Sequence, residues 1–388
     1  MAALRGTAWR GRDCRDDHAD IYAGTWPADG DKFQDSNCNG IHGTNPDTGQ
    51  SYERELCSGS RPMGTIVIGD SASAHFHAPP EWFTVRDLSK DILQNLTNVI
   101  ENELDWPHLS YFTGFENISW PIIHGTTQSV YSRMRERNRC NHRDYQNLAV
   151  NGASSFDLYS IREALARNPR NDYPAFVAIA LVGNDVCNHY PDTLAHMTTP
   201  EQMRYNLLDT LVWLDSHLPA GSHVLLGGLA DGRVLYEALH NRVHPIGSLR
   251  GDVKYTDVYN WFNCLEVTPC MGWMNTNETM RDLTSKRAAE LTEAIKQLAL
   301  EYTNTFINFD VHFLPCPMQE AIDIWVKQGR EIWELIEPAD GFHPNQFGNK
   351  LFADVLWRHL ESEFPHIIGQ ENPNNDVIAA TFGDQGGY

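Results

Sequence analysis

The sequence lacks long uninterrupted apolar runs and is poor in basic residues. No apolar stretch reaches the ~18 residues that a membrane-spanning helix needs, so no transmembrane segment is predicted. The chain has 30 Lys and Arg residues against 51 Asp and Glu residues, a formal net charge of −21. Nucleic-acid binding requires a basic surface, so a nucleic-acid partner is not expected.

Cysteine is present eight times but never as a CxxC pair, so zinc or redox chemistry of that kind is not indicated. Asn-x-Ser/Thr acceptors occur at Asn95, Asn117 and Asn277 and are candidate glycosylation sites. Cysteines and acceptors together predict a secreted or lysosomal (vesicular) protein of the oxidising secretory pathway. The first residues do not form a signal peptide. We therefore expect the chain to be trimmed from a longer precursor or to lack its upstream exons.

Residues 1–62 contain little apolar sequence and no convincing helix or strand. Oxygen-bearing side chains alternate along Asp35–Asn39 and are followed by Gly40 and Ile41. An EF-hand loop has the same order, with ligands at positions 1, 3 and 5, a glycine at the turn and then a backbone carbonyl ligand. The twelfth position is Pro46 and not a bidentate Glu, so the segment is not an EF-hand. The sequence predicts a structural Ca²⁺ segment, the alternative being a solvated acidic loop closed by Cys14 and Cys38. The candidate ligands are Asp13, Asp16, Asp17, Asp35, Asn37, Asn39, Ile41, Asn45 and Asp47.

From Thr65 onward, strand and helix patterns alternate. Nearly continuous apolar runs predict buried parallel strands, namely Thr65–Ile68, Phe176–Val182, His223–Gly227 and Thr305–Phe309. Helical spacing fills the gaps, and the last long helix is expected over 346–364. The pattern predicts an α/β fold with a central parallel sheet between two helical layers, occupying residues 63–388. The tail after Gln370 is expected on the surface.

Two short motifs suggest a serine hydrolase. Ser71 follows a strand in Gly69-Asp70-Ser71, and a serine there needs a base within hydrogen-bond reach. His343 can supply that base if Asp340, three residues earlier, orients its ring. His75 and His77 are alternative bases, although they more plausibly shape the pocket.

Two intermediate motifs offer donors for a tetrahedral oxyanion: the backbone N–H of Gly152 and the side-chain amide of Asn184, in addition to the N–H of Ser71. Ser71, Gly152, Asn184 and His343 occur in the order that names the SGNH (GDSL-like) hydrolases, and the chain resembles that superfamily. The resemblance implies a flavodoxin-like three-layer fold, no organic cofactor and no catalytic metal.

Longer motifs narrow the resemblance. They are Gly69–His77, Cys140–Asn147, Gly183–Cys187, Asp340–Asn345 and Phe382–Gly387. These are similar to the large catalytic subunit of the acyloxyacyl hydrolase family, from about Trp9 to the C-terminus. The family implies hydrolysis of secondary fatty-acid esters of lipopolysaccharide lipid A, which detoxifies it. One alternative is an esterase or lipase acting on phospholipid or carbohydrate acyl esters, and another is a non-catalytic calcium-stabilised lipid-binding module.

Two departures from the family pattern concern single residues. Family members carry a disulfide-linked saposin-like subunit, and Cys264 aligns best with the linking cysteine. Cys264 therefore either pairs with Cys316, which is not a family position, or awaits such a partner. His18 stands where relatives tend to have an acidic residue. Eight cysteines allow on the order of a hundred pairings, and we adopt Cys14–Cys38, Cys57–Cys140 and Cys187–Cys270 as working pairs.

Overall fold

The architecture is a five-stranded parallel sheet between two layers of helices. The structure is a computed structural model that describes residues 5–84, 86–90, 102–117 and 123–388. The strands are β1 (Gly64–Gly69), β2 (Tyr145–Asn147), β3 (Ala175–Ala180), β4 (Ser222–Gly227) and β5 (Phe309–Leu314). Their spatial order is β2-β1-β3-β4-β5, and every neighbouring pair is parallel. The predicted α/β class with a central parallel sheet is confirmed, and this order is the flavodoxin-like one.

The helices follow the strands in the alternation that the sequence predicts. In chain order they are α1 (Tyr52–Cys57), α2 (Ser71–Ala74), α3 (Val130–Arg137), α4 (Leu158–Arg162), α5 (Pro200–Asp215), α6 (Arg233–Leu239), α7 (Tyr255–Cys264), α8 (Glu278–Glu301), α9 (Met318–Lys327), α10 (Gln346–Glu363), α11 (Pro365–Ile368) and α12 (Asn375–Phe382). Short 3₁₀ turns lie between several of them.

Both faces of the sheet are buried, because successive residues of a strand point to opposite sides. On β1, Ile66 and Ile68 join the core under α4, α5 and α8, whereas Val67 joins the core under α3, α9 and α10. Each core is continuous with the apolar side of its helices. This two-sided burial explains why β1, β3 and β4 are almost uninterrupted apolar runs.

The edge strands differ from the prediction. The strand expected at Thr305–Phe309 is wrong: residues 305–308 form a turn, Ile307 is exposed, and β5 begins at Phe309. In β5 only Phe309, Val311 and Leu314 are well buried, and this edge strand has no continuous apolar run. β2 is only three residues long and polar, and the sequence pattern did not reveal it.

The N-terminal segment and the C-terminal tail pack together on the outside of the sheet and its helical layers. Ile41, Cys57 and Ile378 share one small apolar cluster. Gln385 is buried and donates from Nε2 to the carbonyl of Asn39 at 2.6 Å, while Arg143 donates to the carbonyl of Gly387. The tail lies on the surface as expected, and three of its residues, Asn372, Ile378 and Gln385, are buried and anchor it there. The division at residues 62 and 63 stays a prediction.

Three disulfides stabilise the chain, and they join the same pairs that we adopted. Cys14 is bonded to Cys38, Cys57 to Cys140, and Cys187 to Cys270. Cys57–Cys140 connects the N-terminal segment to the start of β2. Among the helices that the structure describes, none combines the length and the apolar character needed to cross a bilayer.

Candidate active site

Ser71 lies at the carboxyl end of β1, where the strand turns directly into α2. Asp70 caps this helix: its carboxylate accepts from the N–H of Ala72 at 3.0 Å and from the N–H of Val182, after β3, at 2.7 Å. Burial raises the pKa of Asp70 to about 6, against the opposing effect of these backbone donors. The side chain thus joins the ends of β1 and β3. This is the point where the strand order reverses and where open α/β sheets place their ligands.

Glycine is required before this turn. A Cβ on Gly69 would lie 2.5 Å from Oγ of Ser73 and 2.8 Å from the carbonyl oxygen of Ala180. Both distances are shorter than the contacts that a real Cβ atom makes, so the tight junction between β1 and α2 requires a residue without a side chain at position 69. This is a local reason for the Gly-Asp-Ser sequence.

Ser71, His343 and Asp340 form a hydrogen-bonded chain. Nε2 of His343 lies 2.7 Å from Oγ of Ser71, and Nδ1 lies 2.5 Å from Oδ2 of Asp340. Burial by itself would lower the pKa of His343, but the adjacent Asp340 carboxylate outweighs it and raises the pKa above its ordinary value. Burial likewise opposes ionisation of Asp340, yet the imidazole and two backbone donors lower its pKa. The arrangement can take a proton from the serine hydroxyl.

The loop carrying the histidine is fixed by its own backbone bonds. Oδ1 of Asp340 accepts from the N–H groups of Phe342 and His343 at 2.8 and 3.2 Å. Gly341 has φ +64°, and a Cβ there would lie 2.5 Å from the hydroxyl of Tyr259. Glu337 closes the loop, because its N–H donates to the carbonyl of His343 at 2.7 Å. These bonds hold the Asp-x-x-His loop so that Nδ1 of His343 faces Asp340 and Nε2 faces Ser71.

Glu337 also explains the position of His77. Nδ1 of His77 lies 2.6 Å from Oε2 of the fully buried Glu337 carboxylate. This buried pair ties the segment after α2 to the loop of His343. It assigns His77 to the support of the loop, and the imidazole facing Ser71 is that of His343. His75 is fully buried, and burial holds its pKa well below the ordinary value.

The two expected oxyanion donors lie on loops at the same edge of the sheet. After β2, the N–H of Val150 donates to the carbonyl of Gly69 at 3.0 Å, which brings the loop of Gly152 to the end of β1. Gly152 has φ +75° in open space, a conformation that favours glycine. Asn184 follows β3 and lines the same cavity as Ser71 and His343.

Asp185 links these two loops. Its buried carboxylate accepts from the hydroxyl of Ser155 at 2.6 Å and from the hydroxyl of Thr198 at 2.7 Å. Ser155 is three residues beyond Gly152, and Asp185 directly follows Asn184. The carboxylate is fully engaged in this link, so its geometry fits a positioning role.

A largely apolar cavity opens beside Ser71. It lies between α2, α6, α9, α10 and the segment before α8, and its walls include Val234, Trp273, Met318, Ile322, Phe342 and Phe352. These residues come from distant parts of the sequence, so no local pattern marked them. Apolar walls with a few polar groups at one end suit a hydrocarbon chain whose ester lies at the serine.

The aromatic residues nearest to Ser71 in sequence do not form this wall. Phe76 contacts the ring of His343, with centroids 4.6 Å apart. Trp82 packs against a separate cluster that contains Trp106, and Phe83 is 42% exposed. The aromatic residues that line the cavity lie more than 200 positions after Ser71, and they are Trp273, Phe342 and Phe352.

A second group of polar residues is buried in the N-terminal segment. The carboxylates of Asp31 and Glu53 are buried, and Oδ1 of Asp35 is buried with no hydrogen-bond partner. The amides of Asn37 and Asn39 donate to Glu53 at 3.2 and 3.0 Å. Burial, together with the smaller effect of the neighbouring carboxylates of Asp31 and Asp35, raises the pKa of Glu53 to about 8. Asp31 and Asp35 both disfavour ionisation of Glu53, so ionising all three carboxylates is costly without a compensating cation.

The predicted cation ligands divide into two sets. Asp35, Asn37, Asn39 and Ile41 belong to this buried group. Asp16, Asp17 and Asp47 are exposed, and the half-buried Asp13 and Asn45 accept from backbone N–H groups two residues ahead. The sequence prediction did not include Asp31 and Glu53, which also belong to the buried group. Glu53 lies on α1, beyond the twelve loop positions from which an EF-hand takes its ligands.

The other predicted modification and partner residues lie at varied positions. Asn117 and Asn277 are exposed, and Asn277 caps α8, whereas Asn95 lies outside the described residues. Cys264 is exposed and forms no disulfide. Cys316 is also unbonded, and burial raises the pKa of its thiol to about 12. The alternative in which Cys264 pairs with Cys316 is therefore wrong.

Comparison with known proteins shows strong similarity along nearly the whole chain. The chain is 49% identical to the acyloxyacyl hydrolase of Mus musculus over 385 residues, 50% identical to that of Oryctolagus cuniculus over 386 residues, and 48% identical to that of Homo sapiens over 385 residues. Each alignment covers 99% of this chain and 66% of the relative. The chain thus spans just under two thirds of the length of these relatives.

A solved structure of an acetyl xylan esterase from Geobacillus stearothermophilus overlaps 80% of this chain and 98% of its own, at 14% identity and a TM-score of 0.36. At this TM-score the structural similarity is too low to support a conclusion about this chain. The model of the family described as GDSL-like lipase/acylhydrolase matches residues 66–356, which include Ser71, Gly152, Asn184 and His343. On this match, and with the sheet and the serine–histidine–aspartate geometry in place, the chain belongs to the GDSL-like lipase/acylhydrolase family.

Proposed function

We propose that this chain is a serine esterase that hydrolyses secondary, acyloxyacyl fatty-acid esters of lipopolysaccharide lipid A. The observation that carries the proposal is the chain of hydrogen bonds from Asp340 through His343 to Ser71 at the mouth of an apolar cavity. The substrate class is supported by the similarity to acyloxyacyl hydrolases over 99% of the chain.

In the proposed reaction, Oγ of Ser71 attacks the acyl carbonyl while Nε2 of His343 accepts the hydroxyl proton. The N–H groups of Ser71 and Gly152 and the amide of Asn184 stabilise the oxyanion. The ester bond then breaks, and His343 gives the proton to the departing 3-hydroxyacyl oxygen. A water molecule, deprotonated by the same ring, attacks the acyl-enzyme and releases the fatty acid.

The apolar cavity is the acyl site in this proposal. A fatty-acid chain held against Trp273, Ile322 and Phe352 would leave its carbonyl at the polar end, where Ser71 and Asn184 lie. Burial of a methylene group stabilises binding by about 0.8 kcal/mol. Chain length should therefore affect binding strongly.

The test is fatty-acid release from hexa-acylated lipid A by the wild-type chain and by Ser71→Ala. Ser160→Ala is a matched control, because Ser160 is an exposed serine on α4. Release of secondary chains that is lost only in Ser71→Ala supports the proposal. Full turnover by Ser71→Ala would contradict it.

Two competing functions are separated in the same experiment. A panel with phospholipids and acetylated carbohydrates compares kcat/KM and would expose a different ester preference. A fluorophosphonate probe tests the non-catalytic alternative, a lipid-binding module, since only an activated serine reacts. The 2.7 Å contact between Ser71 and His343 favours reaction with the probe.

The N-terminal segment is proposed to bind structural Ca²⁺. The buried carboxylates of Asp31 and Glu53 and the buried Oδ1 of Asp35 are oxygen donors of the kind that this hard cation prefers, and Asn37, Asn39 and the carbonyl of Ile41 add neutral oxygens. The ion would stabilise this segment and take no part in the ester chemistry. The exposed Asp16, Asp17 and Asp47 and the half-buried Asp13 and Asn45 are secondary candidates.

The disulfides are consistent with the secretory pathway. We further propose secretion or lysosomal delivery, with glycans at Asn95, Asn117 and Asn277. The exposed thiol of Cys264 is proposed to bind a small saposin-like partner through a disulfide. Non-reducing and reducing electrophoresis of the protein from its native cells, beside Cys264→Ser, tests this last point.

A further inference from the structure

Three histidines and an aspartate converge at the edge of the sheet opposite the active site. His223 is on β4, Asp310 and His312 are on β5, and His366 is on α11. One ligand atom of each residue lies within 4.8 Å of those of the other three. We propose that these four side chains form a binding site for a divalent transition-metal ion of the zinc type.

The strand geometry brings three of the side chains together. His223 and Asp310 are direct cross-strand partners in the parallel pairing of β4 with β5, so their side chains leave the same face. His312 is two residues beyond Asp310 and therefore lies on that face as well. Both strands present these residues near their amino ends, whereas Ser71 follows the carboxyl end of β1.

The fourth side chain comes from α11 after the long helix α10 has crossed the sheet. Its backbone is fixed by the buried residues Ile367 and Ile368, which directly follow His366. The ring of His366 lies 5.2 Å from the rings of both His223 and His312, between centroids. The side chain of His366 is half exposed, so an ion can reach the site from solvent.

The distances suit a tetrahedral ion. Metal–ligand bonds of about 2.0–2.1 Å place tetrahedral ligands about 3.3 Å apart. Oδ2 of Asp310 lies 3.1 Å from Nε2 of His312 and 3.4 Å from Nε2 of His366. Nδ1 of His223 lies 2.5 Å from Oδ1 of the same carboxylate. Only small side-chain adjustments would be needed to receive an ion.

The hydrogen bonding also indicates a ligand. Nε2 of His312 is buried and makes no hydrogen bond of acceptable angle, although the carboxylate of Asp310 is close to it. Buried polar nitrogens normally have a partner. A metal ion at the centre of the cluster would satisfy this nitrogen together with the other three ligands.

The four donors, three imidazole nitrogens and one carboxylate oxygen, indicate which class of metal the site would bind. Imidazole nitrogen suits zinc, copper, nickel and cobalt, whereas calcium and magnesium prefer oxygen ligands. Three imidazoles and one carboxylate fill a tetrahedron and leave no open position for a reacting water, which is the form of a structural site. Bound zinc would join β4, β5 and α11 and would stabilise the edge of the sheet.

The test is zinc binding by the intact chain in excess calcium, so that the N-terminal carboxylates do not compete. Titration against a chromophoric chelator should show one tight zinc per chain, and cobalt(II) should give the strong visible absorption of a tetrahedral site. Zinc should also raise the Tm of the wild type.

Two variants identify the ligands. His366→Ala is safe for folding because this side chain is half exposed, and His312→Phe keeps a ring against Phe364, its neighbour at 4.7 Å. Each should weaken zinc binding at least about 10-fold, which is the lower limit even for loss of an outer-shell partner, and should reduce the Tm shift without changing esterase kcat. His196→Ala, an exposed histidine elsewhere, should change neither. Absence of stoichiometric zinc binding by the wild type, or wild-type affinity in His366→Ala and His312→Phe, would overturn the proposal.

Discussion

The carboxylate of Asp340 lies 2.5 Å from Nδ1 of His343, three residues further along the chain. This contact raises the pKa of His343 against the effect of burial. The ring accepts a proton only when it is neutral, so kcat/KM should fall as the pH drops through this raised pKa.

Asp340→Asn should move that acidic limb to lower pH, because the carboxylate that favours the imidazolium is gone. It should also reduce kcat by roughly 10⁴-fold, since an amide orients the wrong tautomer. The measurement is the pH profile of kcat/KM. Asp354→Asn, on α10 at a partly buried ion pair with Arg133, is the control. An unshifted profile in Asp340→Asn would remove this carboxylate from the proposed triad.

Asn184→Ala tests the oxyanion site. Asn184 lines the cavity beside Ser71, and loss of one donor to an oxyanion typically costs 10²–10³-fold in kcat, or about 2.7–4 kcal/mol. KM should change little, because the donor acts mainly in the transition state. Asn188→Ala is a matched control from the same loop, where the amide donates to the carbonyl of Thr193. A large KM effect with unchanged kcat would instead indicate ground-state binding by Asn184.

Val234→Phe tests the acyl cavity. Val234 is part of the cavity wall, so a phenyl ring there should shorten the space for the hydrocarbon chain. The expected result is a shift of preference toward short acyl esters, with about a tenfold loss for each two methylene groups that no longer fit. Val326→Phe, at an exposed position on α9, should leave the preference unchanged. Equal chain-length profiles for wild type and Val234→Phe would place the acyl chain elsewhere.

Calcium removal should destabilise the chain. A chelator would leave the carboxylates of Asp31, Asp35 and Glu53 without a cation to offset their mutual repulsion, so the Tm should fall by several degrees and recover on addition of Ca²⁺. Glu53→Gln should weaken calcium binding at least about 10-fold and reduce this Tm response. The control is Asp29→Asn, which changes an exposed carboxylate two residues from Asp31. Scanning calorimetry with and without chelator measures both, and an unchanged Tm would argue for a simple acidic loop.

The Cys187–Cys270 disulfide should matter for catalysis as well as stability. The N–H of Cys187 donates to the carbonyl of Gly183, so the bridge fixes the turn that carries Asn184. Cys57–Cys140 closes a loop of the same sequence separation, 83 residues. In the chain-entropy model each bridge stabilises the fold by about 4.5 kcal/mol.

Replacing both cysteines of either bridge by serine should therefore lower stability by a similar amount, while only loss of Cys187–Cys270 should lower kcat. The comparison is made below the Tm of both variants, with denaturant melts for stability and ester turnover for kcat. Equal kcat in the two variants would show that the turn of Asn184 holds its position without the bridge.

Much of the site was predictable because its chemistry is local in sequence. Asp340 and His343 are three residues apart, and Ser71 directly follows a strand whose apolar run is unmistakable. Parallel strands buried on both faces give such runs, which is why β1, β3 and β4 were found. β5 was misplaced because this edge strand buries only three of its six residues, and because the apolar Phe306 and Ile307 belong to the preceding turn.

The sequence by itself determined the class of fold, the order of the four motifs and the residue types able to carry ester hydrolysis. Tertiary structure alone decided which distant side chains meet. It joined Glu337 to His77 across 260 residues, placed Glu53 beside Asp35, and brought His366 to Asp310. The reason is physical, because a motif depends on local backbone geometry. A buried pair or a shared ligand site depends instead on how whole layers of the fold pack together, and the spacing of residues along the sequence does not reveal such contacts.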